Sequence, residues 1–290
     1  MAKDTLTRFI FENTPARGMI VQLNDSWKQL QSRKAYPEII NKILGEFAAA
    51  NSLLAATLKF DGLLTMQIRG SGPVSLLIME CTSQQHIRGL AKYNEPVQSG
   101  DLRELFGDGQ LAITIDNSHS RERYQGIVEL EGEKISHALE NYLLRSEQLD
   151  TRLFLAVDKN NACGLLVQKL PEDSNSTADD WNRITQLAAT IKDNELFDLT
   201  AQEIIHRLFN EDDVRLLGEE QYQFLCSCTR ERVGNMLISL GIDEIHSIIE
   251  EQGKISIDCE FCNQHYEFDA VDAEELFAAD IQHPAPRTKQ

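Results

Sequence analysis

From Ile40 onward, apolar residues recur at helical spacing: Ile40, Ile43, Leu44, Phe47, Leu54 and Leu58. Pro37 suits the first turn of this helix, and Asp61-Gly62 ends it. Its second half, Phe47-Ala-Ala-Ala-Asn-Ser-Leu-Leu-Ala-Ala-Thr-Leu58, is apolar nearly all round, the pattern of a helix buried in a core. The pattern then changes to alternation. Leu64, Met66 and Ile68 share one face of a strand, Gly70-Ser-Gly-Pro73 supplies turn chemistry, and Val74–Met79 is the return strand. Further strands are predicted at Met19–Val21, Leu111–Ile115, Tyr124–Leu130, Arg152–Val157 and Gly164–Gln168. Short helices are predicted near Trp27–Leu30, over 101–106 and over Glu133–Arg145. Thr5–Asn13 reads as an amphipathic opening, and 83–110 as a stretch broken by Pro96, Gly100, Gly107 and Gly109. The sum is an α+β fold over residues 1–170, mostly antiparallel sheet around one buried helix.

The pattern shifts after Pro171. Glu172–Asp180 is polar, and apolar residues then return at helical spacing as Trp181, Ile184, Leu187, Ala188 and Ile191, and again as Ile204, Ile205 and Leu208. Residues 171–220 hold thirteen Asp and Glu against four Lys and Arg. Helices this short are marginal in water without packing, so 171–225 reads as an acidic helical linker that docks on another surface, reversibly or permanently. Residues 226–282 predict a small domain: helices over Arg230–Leu240 and Asp243–Glu251, strands at Lys254–Asp258 and Tyr266–Phe268, and a helix over Asp272–Ala279. The tail, 283–290, is expected to be disordered.

Cysteine placement adds chemistry to this last domain. Four of the six cysteines form two tight pairs, Cys226-x-Cys228 and Cys259-x-x-Cys262. Four thiolates make a closed, soft, tetrahedral site for zinc. A domain of this size buries too little apolar surface to be stable alone, so one Zn2+ held by Cys226, Cys228, Cys259 and Cys262 is expected to be part of its fold. Zinc-bound sulfur is thiolate, the reactive species, and each cysteine has a partner close enough to trap oxidation as a local disulfide. An inert structural site needs the same ligands, so spacing alone leaves both readings open. Cys81 and Cys163 are isolated and read as ordinary core or surface thiols, and His265, three residues after Cys262, is a possible further ligand or a donor to the site.

The formal charge of −18 repels phosphate backbones and argues against nucleic acid. Met1–Val21 has no signal-peptide pattern and Phe47–Leu58 is too short for a membrane span, so a cytosolic protein without a membrane partner is expected. There is no GxxxxGK[ST] loop for nucleotide and no Ser-His-Asp arrangement or separable carboxylate pair, so no enzyme is expected.

The cysteine signature behind a long α+β domain and an acidic linker resembles the heat-shock protein 33 family. The resemblance extends to Phe11-Glu-Asn13 with Arg17-Gly18, Thr57-Leu-Lys-Phe-Asp-Gly62, Arg123-Tyr-Gln-Gly126, Arg145-Ser-Glu-Gln-Leu149 and Thr151-Arg-Leu-Phe154. It implies a redox-regulated, ATP-independent holdase chaperone, inactive when reduced and zinc-bound. Oxidation would form the disulfides Cys226–Cys228 and Cys259–Cys262, release zinc, unfold the C-terminal domain and undock the linker. Unfolding client proteins would then bind, and the oxidised chain would dimerise. Two other functions compete. A zinc-ribbon binding module would carry a purely structural zinc, with Arg230 and Arg232 its only local basic cluster. A thiol–disulfide oxidoreductase would use Cys259 and Cys262, and normally places CxxC at a helix start.

Overall fold

A computed structural model describes residues 4–94, 96–97, 100–118, 123–171 and 178–282. The chain divides into two compact units, Met1–Leu225 and Cys226–Gln290. Most of the polar stretch 172–180 and the whole tail 283–290 lie outside the described residues.

The first unit is built on α2 (Glu38–Thr57), preceded by β1 (Thr5–Phe11), β2 (Ala16–Leu23) and α1 (Asp25–Ser32). It continues through β3 (Gly62–Arg69), β4 (Val74–Thr82), β5 (His86–Tyr93), α3 (Leu102–Phe106), β6 (Gln110–Asn117), β7 (Arg123–Glu129) and α4 (Ile135–Ser146). Then come β8 (Thr151–Val157), β9 (Ala162–Lys169), α5 (Ala178–Ala188), α6 (Asp193–Asp198), α7 (Ala201–Phe209), β10 (Val214–Gln221) and β11 (Gln223–Phe224). One sheet runs β10-β1-β2-β9-β8, the other β11-β5-β4-β3-β6-β7. Every pairing is antiparallel except β11 with β5.

Helix α2 lies between the sheets, against β2, β8 and β9 on one side and β3, β4 and β5 on the other. Its all-round apolarity is the consequence of two covered sides: from Phe47 to Ala56 every residue is buried. Of the two polar residues inside it, Ser52 Oγ donates to Ala48 O at 2.9 Å and Asn51 Nδ2 to Met79 O on β4 at 3.4 Å, while the buried Asn51 Oδ1 accepts no hydrogen bond from the protein. Gly164 on β9 lets the helix come close, since a Cβ there would lie 2.8 Å from Leu53 Cδ1. The carbonyls at the helix end, Ala56 O and Thr57 O, accept from Arg8 and Arg17, cations suited to the negative end of the helix dipole.

The outer face of the first sheet is also covered. Phe9, Phe11, Ile20, Leu165 and Val167 form one core with Ile184, Leu196, Ile204, Ile205, Leu208 and Phe209 from α5, α6 and α7. Phe209 packs edge-on to Phe11, ring centroids 5.0 Å apart. Trp181 is a packing anchor, its indole donating to Asp150 at 2.8 Å. Arg183 pairs with Asp212 and fixes α5 to the end of α7. Burial on both faces explains why β9 reads as a continuous apolar run rather than as alternation.

The second unit contains α8 (Arg230–Leu240), α9 (Ile242–Gln252), β12 (Ile255–Asp258), β13 (His265–Phe268) and α10 (Ala270–Gln282). Its core is small: Leu237, Ile245, Ile255, Phe268 and Ala273, with Val233, Ile248 and Leu276 among the half-buried residues around them.

Candidate metal centre

Strands β12 and β13 pair antiparallel from Ile255↔Phe268 to Asp258↔His265. Cys259 and Cys262 therefore occupy the tip of a hairpin. The tip closes tightly, Asn263 N donating to Cys259 O at 2.7 Å and Cys259 N to Gln264 O at 3.0 Å. Asn263 takes the left-handed conformation this knuckle needs, φ +54, which asparagine tolerates better than most residues. Cys226 and Cys228 come from the segment before α8. Thr229 caps that helix by accepting from Arg232 N at 3.1 Å, and the Arg232 side chain donates back to Ser227 O at 2.9 Å.

The four sulfurs lie within 4.8 Å of one another. Zinc–sulfur bonds of about 2.3 Å in a tetrahedron place sulfurs about 3.8 Å apart, so the donor set and its spacing fit one zinc ion. The short approaches run across the pairs: Cys226 Sγ to Cys259 Sγ at 3.6 Å, and Cys228 Sγ to Cys262 Sγ at 3.2 Å. Burial, with a further contribution from the Cys228 sulfur, pushes the Cys262 thiol well up. Thiolates this crowded need a cation among them, and a bound divalent ion reverses that shift. All four cysteines are only half-buried, so the sulfurs remain within reach of small solutes.

The neighbours of the sulfurs were not evident from the sequence. Tyr266 Oη donates to Cys228 Sγ at 3.3 Å, and this contact raises the phenol to about 12. Arg230 spans the site's two halves, donating to Glu267 O at 2.6 Å, pairing with Asp272 at 2.7 Å, and lying 4.2 Å from the Phe268 ring centroid. Of the basic pair considered for nucleic acid, Arg230 thus holds the hairpin to α8 and Arg232 holds the Cys226–Cys228 segment to it. His265 turns to Asp258 at 2.7 Å and Glu267 at 3.2 Å, carboxylates that raise its pKa, and it stands outside the four-sulfur group. The CxxC lies at a hairpin tip rather than a helix start, so the thioredoxin-like setting is missing here. Groups around a metal commonly tune affinity by about 10-fold or more. Tyr266→Phe is expected to weaken zinc retention by about 10-fold, measured by competition with a chromogenic chelator; unchanged retention would reduce Tyr266 to packing.

Cys81 and Cys163 are core thiols. Both are buried, and burial, assisted by Glu220 near Cys81 and Asp158 near Cys163, raises each to about 12. At pH 8 about one such thiol in ten thousand is ionised. With the zinc chelated, iodoacetamide is expected to label the four clustered cysteines and to spare Cys81 and Cys163 until denaturant is added. Mass spectrometry of the labelled peptides reads this directly.

An α+β core carrying helices on its sheet, joined to a small unit with four clustered sulfurs, defines a thiol-rich class of protein whose cysteine cluster could hold a metal ion. Residues 4–269 match the family model described as Hsp33 protein. The chain is 48% identical over 283 residues to the 33 kDa chaperonin of Methylobacillus flagellatus, covering 97% of each. It is 44% identical to the 33 kDa chaperonin of Chromobacterium violaceum, over 96% of this chain and 95% of that one. The crystal structure of the 33 kDa chaperonin (heat shock protein 33 homolog) of Thermotoga maritima has the same fold, with a TM-score of 0.83 at 22% identity over 96% of this chain and 99% of the other. The chain belongs to the Hsp33 family. Among the described residues, no helix is long and apolar enough to cross a membrane.

Proposed function

We propose that this protein is a redox-regulated, ATP-independent holdase chaperone of the cytosol, held inactive by a zinc ion on Cys226, Cys228, Cys259 and Cys262. The observation that carries the reading is four half-buried sulfurs gathered within 4.8 Å in a unit with a very small apolar core. Zinc, when bound, supplies the cross-link that such a core lacks. The family membership and the relatives' name support the chaperone half. In this reading 1–170 is the core, 171–225 a linker with conditional docking, and 226–282 the switch.

The chemistry uses the protein's own thiols. A thiolate attacks one oxygen of a peroxide, the O–O bond breaks, the sulfur becomes a sulfenic acid, and the other oxygen leaves as hydroxide or water. A second thiol attacks that sulfur, a disulfide forms, and water departs. Each disulfide removes two electrons from the protein. Cross-pair bonds would close loops of 33 and 34 residues, matching the sulfur contacts in the folded unit. Local bonds close over two and three residues, counted the same way. In an unfolded chain the longer loops cost on the order of 2 kcal/mol more, so the products Cys226–Cys228 and Cys259–Cys262 require that the unit opens as it oxidises. Loss of docking by α5, α6 and α7 then uncovers Phe9, Phe11, Ile20, Leu165 and Val167 for unfolding clients, and the oxidised chain dimerises through apolar surface. No nucleotide enters these steps.

Disulfide mapping after hydrogen peroxide at mildly unfolding temperature tests the scheme. The two local disulfides, with one zinc released per chain, are the expected products. Cross-pair disulfides with the second unit still folded would contradict it.

A further inference from the structure

Strand β10 is unlike its neighbours. It pairs with β1 along the whole of Thr5–Phe11. Yet Arg215, Leu216, Leu217 and Glu219 are all exposed, and Leu217 keeps 51% of its surface. β2 and β9, by contrast, are buried nearly throughout. β10 is therefore held by its main chain and by an ion pair toward each end, Glu12 with Arg215 and Arg8 with Glu220. Val214 is the side chain that packs on the core beneath. The ladder is also interrupted. The register slips between Arg8 and Phe9, opposite Leu217, and Gly218 sits at φ +139, where L side chains are strained. This strand follows α7, and only Tyr222 to Leu225 separate it from Cys226.

Main-chain pairing is what any extended polypeptide offers, whatever its sequence. A sheet edge stripped of its last strand presents unpaired N–H and C=O groups that seek such a partner. We propose that the outer edge of β1 is a strand-addition site for unfolding clients: when β10 leaves, an extended client segment of about seven residues takes its place, antiparallel to β1. The occupant is weakly charged and extended. Its best seat has a basic residue opposite Ile10, from where Arg215 reaches diagonally to Glu12, and an acidic one opposite Leu6, from where Glu220 reaches Arg8. The indifference of the edge to side chains suits a partner whose sequence is not fixed in advance. This proposal rests on the chaperone reading above and adds where and how the client is held.

Hydrogen exchange of the full chain, read amide by amide, tests it in three samples: reduced with zinc, oxidised alone, and oxidised with urea-denatured luciferase. The β1 amides that face β10 are expected to be slow in the first, about tenfold faster in the second, and about tenfold slower again in the third. A synthetic peptide of residues 213–222 in excess is expected to release the client, and the same peptide carrying Leu216→Pro and Glu219→Pro is expected not to. β1 amides that stay slow after oxidation, or stay fast with client bound, overturn the proposal. Light scattering in the same samples separates the two claims. Suppressed aggregation with fast β1 amides leaves the chaperone reading standing and rejects the edge, whereas no suppression by the oxidised chain rejects both.

Discussion

Cys259→Ser is expected to remove zinc from the purified protein and to leave the second unit unfolded, while the first unit keeps its fold. The magnitudes decide this. Structural zinc contributes on the order of 10–16 kcal/mol in small zinc peptides, and whole domains have net stabilities of about 5–15 kcal/mol. The second unit buries few apolar side chains fully, Leu237, Ile245, Ile255, Phe268 and Ala273. Serine supplies no thiolate, and three sulfurs leave the tetrahedron open. Zinc content by atomic absorption and proteolysis beyond Leu225 read the outcome. A variant that binds no zinc yet resists protease across 226–282 would show that the apolar core suffices. Cys81→Ser is the control. It removes a buried thiol from the first unit, and zinc content should not change.

Phe209→Ala is expected to switch the protein partly on without oxidant. Phe209 is 2% exposed, and its ring lies 5.0 Å from Phe11 and 6.0 Å from Phe9. Truncating a buried phenylalanine costs about 3–5 kcal/mol. Helix α7 is short, and much of its burial is this contact together with Ile204, Ile205 and Leu208. A loss of that size rivals the docking energy of a segment of short helices. The variant should bind an apolar-surface dye and suppress client aggregation in part while zinc stays bound. Suppression equal to that of the reduced wild type, with a clear fall in melting temperature, would mean that this packing is structural and carries no regulation.

The legibility of the chain follows its physics. α2 declared itself because both of its sides are covered, and β3 because Leu64, Met66 and Ile68 alternate on one buried face. β5 went unread inside a stretch of apparent breakers, because Gly89 interrupts its alternation. A Cβ there would meet Met79 Cε at 2.4 Å, so glycine serves packing at that point rather than a turn. β10 left no signal, since an exposed strand held by its main chain has no apolar pattern to show. The opening segment reads as merely amphipathic, and it is a full strand because β2 and β10 flank it. In the metal centre the four sulfurs were evident from spacing. Tyr266 and Arg230 were not, since their roles depend on a hairpin register and a helix start that meet only in three dimensions. The cross-pair sulfur contacts were equally invisible, because sequence proximity favours the local pairs.

The most direct test follows light scattering of a heat-unfolded client with this protein added either reduced and zinc-loaded or oxidised beforehand, without nucleotide. The account predicts that only the oxidised form suppresses aggregation, at about one chain or dimer per client, and that reduction in the presence of zinc reverses the effect. Equal suppression by both forms, or by neither, would contradict it and leave the four cysteines a structural metal site alone.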